Sequence, residues 1–329
     1  MELAYGDVVT AAERVTGHVR PIALAEGGPI DTPVQLRYAL EFMQHTGSFK
    51  ARGALNFLRA HRDSATLPKA GVTIASGGNA GLACAWAARK LGVRATVFVP
   101  TTAPKVKVAR LRDYGAEVQQ VGTEYADALL ASQEFATRTG ALLSHAYDNS
   151  LIAAGAGTLM MEINAQLPGL DTVVVSVGGG GLFAGIATVA HHYGIRTVAV
   201  EPKRCRALHA ALAAGEPVDV SVDSVASDSL GARRATALAL YAAQHYDVES
   251  ILVSDEQIVA ARHGLWAKHR LAVEHAASTA LAPLLDDELS ATVFRPGEKV
   301  CVVLCGANTD PADLTAPVET EEPEHAHAQ

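Results

Sequence analysis

Short apolar runs alternate with stretches of helical character over most of this chain. Two such series are visible, at residues 71–145 and 172–304. Within the first series, residues 81–91 and 125–139 read as helices between strand-like runs. Strands that are separated by helices in this way pair in parallel and are buried on both faces. The alternation therefore predicts an α/β protein with open, twisted, mostly parallel sheets that are flanked by helices.

The composition agrees with this fold and limits the possible partners. Hydrophobic residues make up 49% of the chain and aromatic residues only 5%. Most of the hydrophobic residues are therefore aliphatic, which suits helices packed on a buried sheet. The formal net charge is -8, but Glu319, Glu321, Glu322 and Glu324 contribute half of it. A mildly acidic body of this kind argues against a nucleic-acid partner.

The cysteines and the N-terminal residues point to a reducing compartment. Cys84, Cys205, Cys301 and Cys305 have neither zinc-site spacing nor the pattern of a disulfide framework. The N-terminus lacks a basic region followed by an apolar core, and no apolar run reaches the roughly 20 residues of a spanning helix. We therefore expect a cytoplasmic protein without a membrane partner.

A run of four glycines, Gly178, Gly179, Gly180 and Gly181, follows an apolar strand-like run and precedes a helical stretch. Consecutive glycines let backbone N–H groups converge on an anion, and the helix N-terminus adds a partial positive charge. The spacing matches neither a Walker sequence nor a dinucleotide fingerprint. The run therefore predicts a phosphate site, with a glycine turn required only for close packing as the alternative.

A second glycine-rich turn, at residues 76–81, also lies between an expected strand and an expected helix. Its free N–H groups and the Ser76 hydroxyl suit a carboxylate, and Asn79 places an amide at the start of the helix. An N-capping asparagine after a glycine turn would give the same pattern without a ligand.

Lys50 stands at the centre of residues 44–56, Gln-His-Thr-Gly-Ser-Phe-Lys-Ala-Arg-Gly-Ala-Leu-Asn. A lysine amine attacks a carbonyl carbon only when it is neutral, which burial or a neighbouring positive charge promotes. Gly47 allows a turn close to a ligand, Ser48 is placed to cap the helix, and Phe49 could lie against a flat ring. Taken alone, the pattern is more typical of a capped helix with a solvated lysine.

Together these stretches closely resemble the serine/threonine dehydratase family of pyridoxal-phosphate (PLP) enzymes, which has fold-type II. The resemblance covers about residues 32–310 and implies a tryptophan synthase β-like fold with PLP as cofactor. It also implies a small domain, residues 71–145, inserted into a large PLP-binding domain of residues 1–70 and 146–314. Residues 315–329 contain almost nothing to bury, so we expect a disordered acidic tail.

Residue by residue, the resemblance implies one catalytic lysine and a set of contacts. Lys50 matches the lysine that holds PLP, and Phe49 matches the aromatic residue packed on the cofactor. The other implied cofactor contacts are Asn79 beside the 3-hydroxyl, Gly178, Gly179, Gly180, Gly181 and Leu182 at the phosphate, and Cys305 facing the pyridine nitrogen. The implied substrate contacts are Ser76, Gly77, Gly78 and Ala80.

The implied reaction is β-elimination from L-serine or L-threonine to a 2-oxo acid and ammonia. Gly77 stands where racemases of the family carry a serine acid/base, and the Cys305 thiol cannot keep the ring nitrogen protonated as an aspartate would. Both residues favour elimination, and residues 227–231 are the candidate contact to the substrate β-carbon. The alternatives are a hydroxyaspartate or diaminopropionate ammonia-lyase, a serine racemase, a β-replacement synthase, or a PLP-binding protein without turnover.

No metal site is expected, and we expect a homodimer. Glu201 resembles the first ligand of a divalent-cation site in serine racemases, but Arg206 stands where a second acidic ligand would be needed. A structural glutamate is the preferred interpretation, with a monovalent ion bound by carbonyl groups as the alternative.

Overall fold

The computed structural model describes residues 2–28 and 34–314. Its strands are β1 (Leu24–Glu26), β2 (Gln35–Ala39), β3 (Val72–Ala75), β4 (Ala95–Val99), β5 (Glu117–Gln120), β6 (Leu142–Leu143), β7 (Thr172–Ser176), β8 (Arg196–Pro202), β9 (Val248–Val253) and β10 (Lys299–Val303). Its helices are α1 (Tyr5–Val15), α2 (Lys50–Asp63), α3 (Asn79–Lys90), α4 (Lys105–Asp113), α5 (Tyr125–Thr139), α6 (Ser150–Gln166), α7 (Gly181–His192), α8 (Ala207–Ala214), α9 (Ser227–Leu230), α10 (Ala237–His245), α11 (Asp255–His269), α12 (His275–Leu281) and α13 (Asp287–Val293).

These strands form two sheets. The larger sheet has the order β1-β2-β10-β7-β8-β9, in which β1 pairs with β2 antiparallel and the other pairs are parallel. The smaller sheet has the order β5-β4-β3-β6 and is parallel throughout. Every residue of β3, β4 and β7 is buried, as expected for strands covered by helices on both faces. The predicted fold class is confirmed.

The two sheets occupy different parts of the chain. The strands of the smaller sheet lie within residues 72–143, and those of the larger sheet lie within residues 24–39 and 172–303. This arrangement agrees with an inserted small domain, although the exact domain limits stay a prediction. Thr32 and Pro33, which match the family's approach to the lysine, and the acidic tail of residues 315–329 lie outside the described residues.

Glycines set the packing of the three helices that carry the site. A Cβ atom added to Gly155 in α6 would lie 2.7 Å from the Cα atom of Gly53 in α2. One added to Gly157 in α6 would lie 2.7 Å from the carbonyl oxygen of Gly185 in α7. Because real Cβ atoms do not approach so closely, these glycines let α2, α6 and α7 pack in direct backbone contact. Helix α2 begins at Lys50 and α7 begins at Gly181, so this contact fixes the lysine relative to the tetraglycine run.

A buried ion-pair network also fixes the start of α2. Arg52 is fully buried, and its guanidinium donates to Glu41 at 2.7 Å and to Glu162 at 2.6 Å. It also donates to the Thr158 hydroxyl at 3.3 Å. A buried charge is tolerated when it is paired and its hydrogen bonds are satisfied, as here. The network ties α2 to α6 two residues beyond Lys50.

Across the residues that the structure describes, each helix is too short or too polar to traverse a lipid bilayer.

Candidate active site

The candidate residues meet where parallel strands end. Ser76 follows β3, the tetraglycine turn (residues 178–181) follows β7, and Cys305 follows β10. In open α/β sheets, ligands bind outside the carboxyl ends of the strands. Lys50, at the first position of α2, faces the same region.

Lys50 has the properties of a reactive amine. Its Nζ atom donates to the carbonyl oxygen of Ala146 at 3.3 Å and lies 4.5 Å from the centre of the Phe49 ring. Burial lowers the pKa of Lys50 to about 8, although the negative charge of Glu274 acts in the opposite direction. A measurable fraction of the amine is therefore neutral near neutral pH, as a nucleophile or a general base requires.

The predicted helix cap at Ser48 is wrong. Helix α2 begins at Lys50 with Phe49 as its N-cap residue, and no side chain caps it. Ser48 is extended and pairs with Gly306 in an isolated β-bridge, while the Phe49 N–H donates to the Cys305 carbonyl at 3.0 Å. This pairing with the segment after β10 holds Ser48 outside the helix and brings Lys50 close to Cys305.

The tetraglycine turn presents unused backbone donors. Among the described residues, nothing accepts a hydrogen bond from the N–H groups of Gly179, Gly180, Gly181 and Leu182. Buried N–H groups normally have partners, and free ones at a helix N-terminus suit an anion. The Leu182 side chain lies in the core of the larger sheet, so this residue can offer a ligand its backbone alone.

The same turn is tightly packed against protein. A Cβ atom on Gly179 would overlap the ring of Tyr147, and one on Gly180 would overlap the Ala239 side chain. Gly180 also has φ +95°, a conformation that side-chain-bearing residues rarely adopt. The glycines therefore allow close packing and also leave the N–H groups free, so the phosphate site stays a prediction that the packing does not oppose.

The turn at residues 76–78 is more open. A Cβ atom on Gly78 would meet no atom within 4 Å, and one on Gly77 would lie 3.4 Å from the Val99 side chain, an ordinary contact. The Gly78 N–H donates to the Ser76 hydroxyl at 3.3 Å. Among the described residues, nothing accepts from the N–H groups of Asn79 and Ala80. These donors suit the carboxylate of a substrate.

Cys305 is a neutral, buried thiol. It is 4% exposed, and its Sγ atom lies 3.8 Å from the Ser176 hydroxyl oxygen. Burial raises the pKa of Cys305 to about 12, so the thiol keeps its proton near neutral pH. Ser176 was not identified from the sequence, because it becomes a neighbour of Cys305 only through the pairing of β7 with β10.

Sequence reasoning also missed Glu274, which is 5% exposed and stands directly before α12. Its carboxylate accepts from the Asn79 side chain at 2.9 and 3.1 Å, from the Ser229 hydroxyl at 2.8 Å and from the Asn308 N–H at 2.8 Å. These partners come from distant segments, so no local pattern could have marked Glu274. Ser229 places part of the predicted loop at residues 227–231 beside the site, as the short helix α9.

Two further residues have clear positions. Ala80 lines a small cavity next to Lys50. Glu201 is buried, and its carboxylate accepts from the backbone N–H groups of Leu208 and His209, each at 2.8 Å. Its described contacts are therefore those of a cap on α8.

These features fit PLP. The free N–H groups of the tetraglycine turn suit its phosphate, the Lys50 amine suits its aldehyde, and the neutral Cys305 thiol suits a ring nitrogen that is left unprotonated.

Comparison with known proteins gives the family. Residues 18–306 match the family described as pyridoxal-phosphate dependent enzyme. The chain is 36% identical to an L-threonine ammonia-lyase of Geobacter sulfurreducens over 87% of this chain and 70% of that protein. It is 35% identical to a serine dehydratase-like protein of Rattus norvegicus over 94% of this chain and 95% of that protein. The structure of maize serine racemase superposes with a TM-score of 0.89 at 28% identity, covering 95% of this chain and 96% of that chain. The chain belongs to the family of pyridoxal-phosphate dependent enzymes.

Proposed function

We propose that this protein is an ammonia-lyase that removes the β-hydroxyl group of L-serine or L-threonine and releases ammonia and pyruvate or 2-oxobutanoate. The observation that carries the proposal is the buried Lys50 amine, with its pKa lowered to about 8, in a protein that also has a turn of free N–H groups and a second turn with open space. The names of the threonine ammonia-lyase and serine dehydratase-like relatives support the same reaction class.

The cofactor, when bound, supplies the electron sink that stabilises negative charge at the substrate α-carbon. The neutral fraction of Lys50 accepts the α-proton at its Nζ atom as the general base. The free N–H groups of residues 179–182 would hold the phosphate, and those of Asn79 and Ala80 would hold the substrate carboxylate. The neutral Cys305 thiol would not keep a proton on the ring nitrogen of the bound cofactor, which would favour elimination over transamination.

Racemisation is the main competing reaction, because the superposed structures include a serine racemase. A racemase must deliver a proton to the face of the substrate opposite the lysine, and Gly77 has no side chain to do so. Because the site of Gly77 has room for a side chain, this absence is a chemical feature and not a steric one. It favours elimination.

A substrate panel tests the proposal. The purified protein is incubated with L-serine, L-threonine, 3-hydroxyaspartate and 2,3-diaminopropionate, and release of 2-oxo acid is measured for each. We expect serine or threonine to react fastest, and Lys50→Ala to abolish the reaction. Fastest turnover of either other substrate, or borohydride fixation of PLP on a lysine other than Lys50, would contradict the proposal.

We also propose that the protein is a cytoplasmic homodimer, with the four cysteines outside any disulfide pattern supporting the reducing compartment. Light scattering coupled to size-exclusion chromatography measures the mass in solution, and fractionation of cells measures the compartment. A monomer or a membrane-associated protein would contradict these two points.

A further inference from the structure

Asn79 lies in a chain of hydrogen bonds whose direction is fixed at both ends. Its side-chain oxygen accepts from the Asn308 side-chain nitrogen at 2.7 Å, and its own nitrogen donates to Glu274. The Asn308 oxygen in turn accepts from an Arg110 nitrogen at 2.6 Å. A guanidinium can only donate and an ionised carboxylate can only accept. The two amides between Arg110 and Glu274 therefore have a single favourable orientation.

A third fixed group reinforces this orientation. The second N–H of the Asn308 amide donates to the Thr46 carbonyl at 2.6 Å, and a carbonyl can only accept. Thr46 has φ +64°, an unusual conformation for a residue with a branched side chain. Such backbone strain is retained where the surrounding structure requires it, often at functional sites. Here it places the carbonyl group where Asn308 donates.

This series of hydrogen bonds leaves one side-chain N–H of Asn79 free. The two oxygens of a carboxylate lie side by side, whereas the two N–H bonds of an amide diverge, so one N–H of Asn79 serves Glu274. The other N–H has no acceptor among the residues that the structure describes. Reversing the Asn308 amide would place its oxygen against the Thr46 carbonyl oxygen. Reversing the Asn79 amide would place its oxygen against the Glu274 carboxylate. Asn79 is thus held as a donor and cannot rotate to offer its oxygen to a ligand.

The side chain of Glu274 does not cap the helix that follows it. Glu274 is the N-cap residue of α12, yet its side chain makes no capping hydrogen bond to that helix. The carboxylate is instead directed to Asn79, Ser229 and Asn308, and a Cβ atom on Gly306 would lie 2.9 Å from it. A buried carboxylate needs such donors, but a structural role alone would not require the side chain of a candidate cofactor contact among them.

The series of hydrogen bonds from Arg110 to Glu274 also links the segments around the two sheets. Arg110 and Asn79 belong to helices α4 and α3 of the smaller sheet, and Asn308 and Glu274 belong to the segments around the larger sheet. The ion pair between Lys107 of α4 and Asp228 of α9, 2.9 Å apart, is a second contact between α4 and the part of the chain that carries the larger sheet. The orientation of Asn79 thus depends on groups from both halves of the molecule.

We propose that Arg110, Asn308 and Glu274 are positioning residues that hold Asn79 as a hydrogen-bond donor to an acceptor oxygen of the bound cofactor. The inference rests on the proposed function in that it takes PLP at Lys50 as given. It adds three residues that act through Asn79 and that the sequence analysis does not assign to the site.

The first test reverses the charge of Arg110, at the exposed end of the series of hydrogen bonds. Arg110→Glu replaces the donor by an acceptor, whereas Arg112→Glu makes the same charge change at an exposed residue of the same helix. PLP is titrated into each apoprotein, and its dissociation constant and the absorption spectrum of the bound cofactor are recorded. We expect Arg110→Glu to weaken PLP binding about fivefold and to shift the absorption band, and Arg112→Glu to change neither.

The second test changes the buried end. Glu274→Gln keeps the shape of the side chain but lets it donate to Asn79, so the amide is no longer fixed. Glu201→Gln is the control, because it alters an equally buried carboxylate that bonds backbone N–H groups of α8. We expect Glu274→Gln to weaken PLP binding about tenfold and to shift the band. Glu201→Gln should lower the melting temperature and leave the spectrum unchanged.

The outcomes separate this inference from the proposed function. If borohydride mapping shows that PLP does not bind at Lys50 of the parent protein, the proposed function fails. If the parent binds PLP at Lys50, but Arg110→Glu and Glu274→Gln match it in affinity and spectrum, the positioning role is overturned. A lower melting temperature with unchanged affinity and spectrum would overturn it too, because that is the result of a merely structural role.

Discussion

The two glycine-rich turns of the site have the same place in their sheets but different reasons for lacking side chains. In the tetraglycine turn, Tyr147 and Ala239 occupy the space that side chains on Gly179 and Gly180 would need. In the turn at residues 76–78, the space beside Gly78 is open and that beside Gly77 is nearly so. The first turn lacks side chains because the protein fills the space. The second has space that a substrate, and not the protein, can fill.

The comparison changes what a substitution in each turn reports. A side chain added to the tetraglycine turn disturbs packing as well as anion binding, so loss of PLP alone does not separate the two causes. A side chain added at Gly77 or Gly78 meets little protein, so its effect reports the chemistry of the bound ligand.

The largest effect is expected from Gly179→Asp. It places a negative charge among N–H groups that face a phosphate dianion, and we expect PLP affinity to fall about a hundredfold or more. The clash with Tyr147 must be removed first, so the variant is made together with Tyr147→Ala. Its PLP dissociation constant is compared with that of Tyr147→Ala combined with Gly179→Ala.

If these two double variants bind PLP equally well, the negative charge introduced by Gly179→Asp does not affect PLP binding. The free N–H groups would then have no part in phosphate binding, and the glycines would serve packing alone.

The next effect is on stability and contrasts Gly180→Ala with Gly78→Ala. At Gly180 an alanine meets Ala239 and adopts φ +95°, and we expect the free energy of unfolding to fall by about 2–3 kcal/mol. At Gly78 the space is open but the residue is the N-cap of α3, so the change should stay within about 1 kcal/mol. Urea denaturation of the two apoproteins measures both values. Equal losses would remove the difference between the turns.

A smaller effect concerns pH and separates Lys50 from the tetraglycine turn. Burial lowers the pKa of Lys50 to about 8, and the neutral amine is the reactive form. The rate of PLP incorporation into the apoprotein should therefore rise about tenfold per pH unit below 8 and level off above it. Stopped-flow absorbance from pH 6.5 to 9 records this profile.

The lowered pKa of Lys50 also determines how the stability of the apoprotein changes with pH. Because the unfolded chain binds a proton at Lys50 more tightly than the folded chain, stability of the apoprotein should rise between pH 8 and the ordinary lysine pKa of about 10.4. In Lys50→Ala this rise in stability should disappear, and covalent PLP incorporation should be absent at every pH, since the backbone N–H groups of the tetraglycine turn neither titrate nor form a covalent bond with PLP. A rate that keeps rising to pH 10 would contradict the lowered pKa.

The parts of the molecule that follow from local sequence were predicted well. Helix α5 has the predicted limits, Tyr125 to Thr139, and the two alternating series correspond to the two parallel sheets. Strands β1, β2 and β6 were not predicted, because they have two to five residues and lack a long apolar run. Strands β2 and β6 pair with β10 and β3, which are distant in sequence, and β1 depends on its pairing with β2.

The site shows the same division. Lys50, the two turns and Cys305 lie in motifs that can be read locally, and the structure brings them together. Glu274, Tyr147 and Arg110 could not be found in that way, because each acts through contacts to residues far away in the chain. The predicted Ser48 cap failed for the same reason, since Gly306 holds Ser48 in an extended conformation.

The smallest effect on the protein, and the most specific for the reaction, is expected from Gly77→Ser. The Cβ atom of the new side chain meets only the Val99 side chain, at an ordinary distance, so stability should change by less than about 0.5 kcal/mol. The hydroxyl would supply the acid/base that racemisation requires, and the ratio of D-serine to pyruvate formed from L-serine should rise a few-fold. Gly78→Ser is the control, because it adds the same hydroxyl at the adjacent open position. The unmodified protein should form mainly pyruvate, since Gly77 offers no side chain to donate a proton on the face opposite Lys50. Abundant D-serine from the unmodified protein would show that another group donates this proton, and an equal rise with Gly78→Ser would show that the position of the hydroxyl does not matter.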